Sequence, residues 1–119
     1  MQEVKSIRPF IGSRDYVISR AFYLDLGFSE SVISPSMSLF TRNGTAFYLQ
    51  DYFVEDWINN TMMLLEVENV VQYWQFLTGL GLDQKYPGTR LIPIRKDDWG
   101  DECMLIDPAG VLWHFAEFH

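Results

Sequence analysis

The chain has 119 residues, which is enough for one ordinary domain, so any internal duplication has to share one hydrophobic core. Its formal net charge of −7 disfavours nucleic acid and anionic membranes as partners and favours cationic ligands, although the charge could also serve solubility alone. The single cysteine, Cys103, excludes an intrachain disulfide, and neither a signal-peptide pattern nor a membrane-length apolar run occurs, so we expect a cytoplasmic protein.

The first predicted elements are a strand, a helix and a hairpin. An apolar run predicts a strand over residues 7–12, and Asp15 is a suitable N-cap for a helix that Gly27 ends. β-prone segments at residues 36–42 and 45–52 flank Asn43-Gly44. This dipeptide predicts a hairpin turn, because both of its positions tolerate positive φ.

The second half of the chain repeats this order. A strand is predicted over residues 62–67, followed by a helix that Asn69 caps and that Gly79 or Gly81 ends. Residues 83–88 are predicted to form a loop. The closing strands, at residues 103–106 and 111–116, flank Asp107-Pro108-Ala109-Gly110, whose composition is typical of a type I turn.

The two halves also match each other in sequence. Residues 22–28 align with residues 76–82, and in the same register Asp15 aligns with Asn69. A cap, a helix and a glycine stop that recur in register indicate a duplicated unit. We therefore predict a single domain of α+β class, with module one at about residues 4–53, a connector at 54–60 and module two at about 61–119. The connector holds Trp57, which we expect at a dimer interface.

Strand alternation assigns side chains to shared faces, since residues two apart point the same way. The faces predicted for the hairpin strands are Phe47, Leu49 and Asp51 in the first half and Trp113, Phe115 and Glu117 in the second. In the opening strands, Arg8 and Phe10 correspond to Met62 and Leu64, with Glu66 following. Burying the Glu66 carboxylate without a partner would cost much free energy. We therefore expect Glu66 to be solvent-exposed, paired with Arg8 or Arg90, or in contact with a ligand.

Other catalytic chemistry has little support in the sequence. Cys103 lies in an apolar strand, which predicts a core thiol rather than a nucleophile. There is no phosphate-binding glycine loop, no Ser-His-Asp order and no CxxC motif.

Several of these motifs together resemble the vicinal oxygen chelate superfamily, which includes glyoxalase I, extradiol dioxygenases and bleomycin-resistance proteins. The resemblance covers nearly the whole chain and is carried by Arg8-Pro9-Phe10, Trp99-Gly100-Asp101-Glu102, Asp107-Pro108-Ala109-Gly110 and His114-Phe115-Ala116-Glu117. The Trp-Gly element is most like the bleomycin-resistance branch, in which Trp99 matches a tryptophan of the ligand groove. The resemblance implies two βαβββ modules whose mixed, curved sheets form a cup with the helices outside.

Metal enzymes of that superfamily take their ligands from the first strand of each module and from near the end of its last strand. The resemblance carries these positions to Arg8, Asp51 or its neighbour Gln50, Met62 and Glu117. Arg8 would repel a divalent cation and Met62 is a soft ligand, so we expect no cofactor. If a divalent metal is present, Asp51 and Glu117 would be among its ligands. Arg8 could instead pair with either of these acids, and His114 should face away from Glu117.

The cup is thus predicted to be lined by aromatic rings and acids, a combination that suits a flat, positively charged ligand. The predicted ligand-binding residues are Arg8, Phe10, Phe47, Leu49, Asp51, Leu64, Glu66, Trp99, Trp113, Phe115 and Glu117. The resemblance implies a homodimer that sequesters an antibiotic between its subunits without chemical change, and this is the preferred hypothesis, for a cationic or aromatic compound. The main alternative is a metal-dependent lyase, isomerase or dioxygenase of the same superfamily. A structural or regulatory role has no motif behind it.

Overall fold

The computed structural model describes residues 2–119 and shows two modules built on one plan. Module one contains β1 (Phe10–Ile11), α1 (Tyr16–Asp25), β2 (Ser29–Ser34), β3 (Met37–Arg42) and β4 (Thr45–Gln50). A short helix, α2 (Glu55–Asn59), precedes module two, which contains β5 (Met62–Glu66), α3 (Val70–Leu80), α4 (Leu82–Lys85), β6 (Arg90–Lys96), β7 (Gly100–Ile106) and β8 (Leu112–Phe118). The predicted α+β fold of two βαβββ modules is confirmed.

Each module forms its own four-stranded sheet, and the two sheets have the same topology. The strand orders are β1-β4-β3-β2 and β5-β8-β7-β6. The opening strand of each module runs parallel to the last strand of that module, while the other pairs are antiparallel, so both sheets are mixed. No helix within residues 2–119 is long and apolar enough to cross a membrane.

The two long helices begin and end where local sequence signals place them. The side chain of Asp15 accepts a hydrogen bond from the Ile18 amide at 3.2 Å, and the side chain of Asn69 accepts one from the Gln72 amide at 3.0 Å. Gly81, with a φ of 64°, ends α3, so of the two predicted glycines it is the second that supplies the left-handed conformation. Both predicted N-caps are confirmed.

The structure departs from the sequence prediction at β1 and at two short helices. The strand predicted over residues 7–12 shortens to Phe10–Ile11, and Pro9, which has no amide hydrogen to donate, contributes only its carbonyl to the Tyr48 amide. The predicted loop at residues 83–88 begins inside α4, and the predicted connector contains α2. Helices of four or five residues carry too little periodic signal to be recognised in the sequence.

One hydrophobic core joins the two modules. The ring of Tyr23 on α1 lies 5.0 Å from that of Phe47 on β4 and 5.8 Å from that of Trp113 on β8, measured between centroids. The Tyr23 hydroxyl donates to Asp107 at 2.5 Å and accepts from the Trp113 indole nitrogen at 2.9 Å. Asp107 also accepts three backbone amide hydrogens of its turn, each at 2.9 Å. The predicted turn is therefore part of the contact between the modules.

Candidate ligand-binding site

The two faces of each sheet differ in what covers them. Trp113 and Phe115 on β8 are at most 2% exposed and face the helices, and the ring of Tyr73 on α3 lies 4.6 Å from that of Phe115. Phe47 and Leu49 on β4 are buried in the same way, at 1% and 0% exposure. Alternation grouped these residues correctly, but they belong to the core side of the sheets and not to an open cup. Of these four residues, Phe47 and Trp113 also line the cavity described below.

The two acids predicted beside these rings are placed elsewhere. The Glu117 carboxylate accepts the Val70 amide hydrogen at 2.9 Å, so it caps the start of α3 on the helix-covered side. Asp51 lies just beyond β4, is exposed, and donates its amide hydrogen to the Ser36 carbonyl. The structure therefore does not bring these two acids together with the aromatic rings in one lined cup.

The opposite face of each sheet is open and carries a separate set of side chains. Phe10 stacks on Tyr48 with their ring centroids 4.8 Å apart, and Arg8 donates to the Tyr48 hydroxyl at 3.1 Å. In the second sheet, Leu64 lies beside His114. Phe10 and Leu64 are 56% and 54% exposed. Arg8 thus bonds to a phenol, and its predicted pairing with Asp51 or Glu117 is not observed.

A cavity of about 530 Å³ lies between the two modules and the N-terminal residues. We call it the first cavity. It is lined by residues 5–9, Phe28, residues 44–47, residues 63–65 and Trp113. Phe28, Phe47 and Trp113 form its floor, with their ring centroids 5.2 to 5.9 Å apart. The charged residues of this lining are Lys5 and Arg8. The first cavity is therefore basic and aromatic, whereas the sequence predicted an acidic and aromatic cup.

A second cavity, of about 430 Å³, adjoins the first. It is lined by Arg42, Asn43, Thr45, residues 65–68 and Tyr73, and it shares Thr45 and Leu65 with the first cavity. Glu66, which the sequence singled out, lies here with Glu68. Its carboxylate is not paired with Arg8 or with Arg90 in the described residues. Of the predicted acids, Glu66 lines this cavity, whereas Asp51 and Glu117 line neither of the two.

Two tryptophans singled out by the sequence lie away from the first cavity. Trp99 packs against Phe118 with 5.3 Å between the ring centroids and is 41% exposed. Trp57 lies 5.8 Å from Tyr52 and lines a hollow of about 180 Å³ that also includes Phe10. Their predicted roles, in a ligand groove for Trp99 and in a dimer interface for Trp57, remain predictions.

A buried carboxylate on the open face of the second sheet, with a histidine and an arginine beside it, was not predicted. Glu102, only 3% exposed, has one carboxylate oxygen 3.0 Å from His114 Nδ1 and the other 3.3 Å from an Arg95 guanidinium nitrogen. The alternation of β8 could have revealed part of it, because it places His114 on the other face of the sheet from Trp113 and Phe115. The same alternation predicts that His114 faces away from Glu117. Glu102 holds the imidazole ring in one orientation.

The Cys103 thiol is not suited to nucleophilic catalysis. The thiol is fully buried, and burial raises its pKa to about 11, so the thiol form persists at neutral pH. The predicted core thiol is confirmed.

The residues at the metal-ligand positions implied by the superfamily do not fit a divalent cation. Arg8 bonds to Tyr48, and Glu117 is engaged by the amide at the start of α3. Within residues 2–119, no three His, Cys, Asp or Glu side chains come together in a group able to hold a metal ion. We therefore derive no chemistry through a metal at these positions.

Proteins of known structure share this fold over their whole length. A bleomycin resistance determinant encoded on the transposon Tn5 matches with a TM-score of 0.82 and 18% identity, over 98% of this chain and 99% of that one. An antibiotic binding protein from Streptomyces sp. CB03234 matches with a TM-score of 0.77 and 17% identity, over 100% of both chains. A lactoylglutathione lyase from Agrobacterium tumefaciens matches with a TM-score of 0.71 and 14% identity, over 98% and 96%.

No protein-family model matches the chain, and no curated protein matches it in sequence. The fold is that of the bleomycin-binding proteins and of the glyoxalase/bleomycin resistance protein/dioxygenase enzymes. The resemblance stated from the sequence motifs is therefore confirmed at the level of the fold.

Proposed function

We propose that this protein binds a small aromatic compound of antibiotic type, bearing a cationic group, and holds it without chemical change. The observation that carries the proposal is the first cavity, a space of about 530 Å³ with a floor of three rings between the modules. Structures with the same fold include a bleomycin-binding protein complexed with bleomycin and one from Streptomyces verticillus complexed with copper(II)-bleomycin.

The lining of the two cavities suggests how such a ligand is held. Phe28, Phe47 and Trp113 are at most 4% exposed, so a flat ring system in the first cavity contacts only their edges. It gains mainly from the apolar area that it buries on the exposed Ile7 and Leu64, at ~25 cal/mol per Å². A cationic group is repelled by Lys5 and Arg8 and attracted by the Glu66 carboxylate, so it points from the first cavity into the second. The formal net charge of −7 adds a long-range attraction for cations.

We further propose that the functional unit is a homodimer in the cytoplasm. The open sheet faces expose large apolar side chains that a second copy would cover, among them Phe10 at 56%, Leu64 at 54% and Met62 at 65%. The single reduced cysteine suits the cytoplasm. Such a copy would also close the open side of a bound ligand.

Isothermal titration with bleomycin, copper(II)-bleomycin and proflavine tests the binding proposal. We expect saturable binding of at least one of the three compounds. Ala46→Trp should weaken it by about tenfold or more, because Ala46 lines the first cavity and the added indole would fill its space. Light scattering on the same samples should give the mass of two chains.

Ala21→Trp is the matched control, because Ala21 lies on the exposed side of α1 and lines neither cavity. It should leave the affinity unchanged. The proposal fails if none of the three compounds binds saturably, or if Ala46→Trp binds as tightly as Ala21→Trp.

A further inference from the structure

The guanidinium of Arg42 is fixed at the boundary between the modules. One of its terminal nitrogens donates to the Leu26 carbonyl at 3.3 Å and to the Tyr73 hydroxyl at 3.1 Å. Its central carbon lies 5.6 Å from the ring centroid of Tyr73 and 5.2 Å from that of Phe76. The guanidinium also lies against Gly27, where an added Cβ would be in van der Waals contact with it at 3.4 Å. Arg42 is therefore held in place before any ligand arrives.

The second cavity presents opposite charges that do not meet. Arg42 lies on its wall together with Glu66 and Glu68. Within the described part of the chain, Arg42 makes no ion pair with either carboxylate, and neither carboxylate pairs with another cation. Arg42 and the two carboxylates thus line one cavity of about 430 Å³ without contacting each other.

A ligand group that carries both charges would satisfy this arrangement. An ammonium group would lie at Glu66 and Glu68, and a carboxylate would accept from the remaining guanidinium nitrogens of Arg42, whose planar fork suits a carboxylate. Both contacts are charge-assisted and are stronger than hydrogen bonds between neutral groups. Arg42 would repel a purely cationic group, and the two carboxylates would repel a purely anionic group.

We infer that the bound compound is an aromatic aminocarboxylate, with its ring in the first cavity and its zwitterionic head group in the second. The two cavities adjoin at Thr45 and Leu65, which line both, and the inferred ligand spans this junction. This inference rests on the proposed binding function and specifies the head group of the ligand. Aromatic amino acids, and larger compounds that end in such a group, have this chemistry.

Three indoles that differ only in their head groups test the inference by isothermal titration. L-Tryptophan carries both charges, tryptamine lacks the carboxylate, and indole-3-propionate lacks the amine. L-Tryptophan should bind most tightly, with each missing charge weakening the binding by about tenfold or more, the size expected for a charge-assisted hydrogen bond.

Variants of the cavity separate ligand contact from a structural role. Arg42→Gln should weaken L-tryptophan by about tenfold and leave tryptamine no weaker, because tryptamine has no carboxylate to bind Arg42 and its ammonium group is relieved of a like charge. Replacing both acids, by Glu66→Gln and Glu68→Gln, should weaken L-tryptophan and leave indole-3-propionate no weaker. Glu66 and Glu68 are exposed, so the variant that replaces both should fold. This variant still tests the inference if Arg42→Gln does not fold.

Glu55→Gln, an exposed acid in α2 outside both cavities, is the control and should change nothing. The inference is overturned if L-tryptophan does not bind, or if tryptamine or indole-3-propionate binds as tightly as L-tryptophan. In that case the proposed function would still hold if bleomycin or proflavine binds and Ala46→Trp abolishes that binding. Only the inferred zwitterionic head group would be refuted.

Discussion

Tyr23 on α1 contacts all three rings at the floor of the first cavity. Its hydroxyl bonds both to Asp107, which is fully buried, and to the indole nitrogen of Trp113. Burial raises the pKa of Tyr23 well above its usual value, and the neighbouring Asp107 charge acts in the same direction, so the hydroxyl keeps its proton to donate. The ring of Trp113 is thereby held at the cavity floor.

Removing this hydroxyl should be costly. Tyr23→Phe leaves the Trp113 indole N–H without its acceptor and Asp107 without one of its donors, in a site that water does not reach. We expect the free energy of unfolding to fall by about 1–3 kcal/mol, as measured by urea denaturation.

Tyr52→Phe is the comparison for this substitution, since Tyr52 is 53% exposed. It should change the free energy of unfolding by less than about 0.5 kcal/mol. Equal stability of the two variants would contradict the role given to Tyr23.

At the scale of the element, local signals were the most predictable part of the structure. Asp15 and Asn69 cap their helices, and Asn43-Gly44 forms its hairpin turn with positive φ at both positions, because each of these features depends on a few adjacent residues. The end of α3 was left open between Gly79 and Gly81. The sequence could not decide it, because either glycine can adopt the left-handed conformation and the choice depends on where α3 packs.

Two glycines in different elements should respond oppositely to alanine. Gly100 opens β7 directly against β8, where an added Cβ would overlap the backbone carbonyl of Glu117, whereas Gly79 on α3 has open space around it. In urea denaturation, Gly100→Ala should lower the free energy of unfolding by about 1–3 kcal/mol. Gly79→Ala should raise it by about 0.5–1 kcal/mol, because alanine is the better helix residue.

The two variants control for each other, since both add one methyl group to a glycine. If Gly100→Ala were neutral, the close approach of β7 and β8 at this position would be refuted. Destabilisation by Gly79→Ala would contradict the open surroundings of that helical position.

At the scale of the whole molecule, the fold was predictable and the site only in part. Alternation put Trp113 with Phe115 and placed His114 opposite, but both faces of these sheets carry apolar residues. Which face lies under the helices depends on how α1 and α3 pack, and strand alternation holds no information about that packing. The acid of β8 was therefore assigned to the cup, while the structure uses it to cap α3.

The cavities were out of reach of the sequence for a related reason. The first cavity takes its lining from the N-terminal residues, from the start of β4, from β5 and from single residues such as Phe28 and Trp113. These segments are distant in the chain and meet only because the modules share one core. Glu66 was found because an acid within an apolar strand stands out without knowledge of the packing.

The central claim is that the ligand is bound without being transformed. The most direct test is to measure the molecular mass of the ligand after binding. The ligand for this test is the compound that binds most tightly in the titrations. The protein should be incubated with it and purified without chelator, and the complex should then be denatured and analysed by mass spectrometry. The account predicts release of the compound at its original mass, in saturable and stoichiometric amount. A new mass formed only in the presence of the protein, or no retained compound, would contradict it.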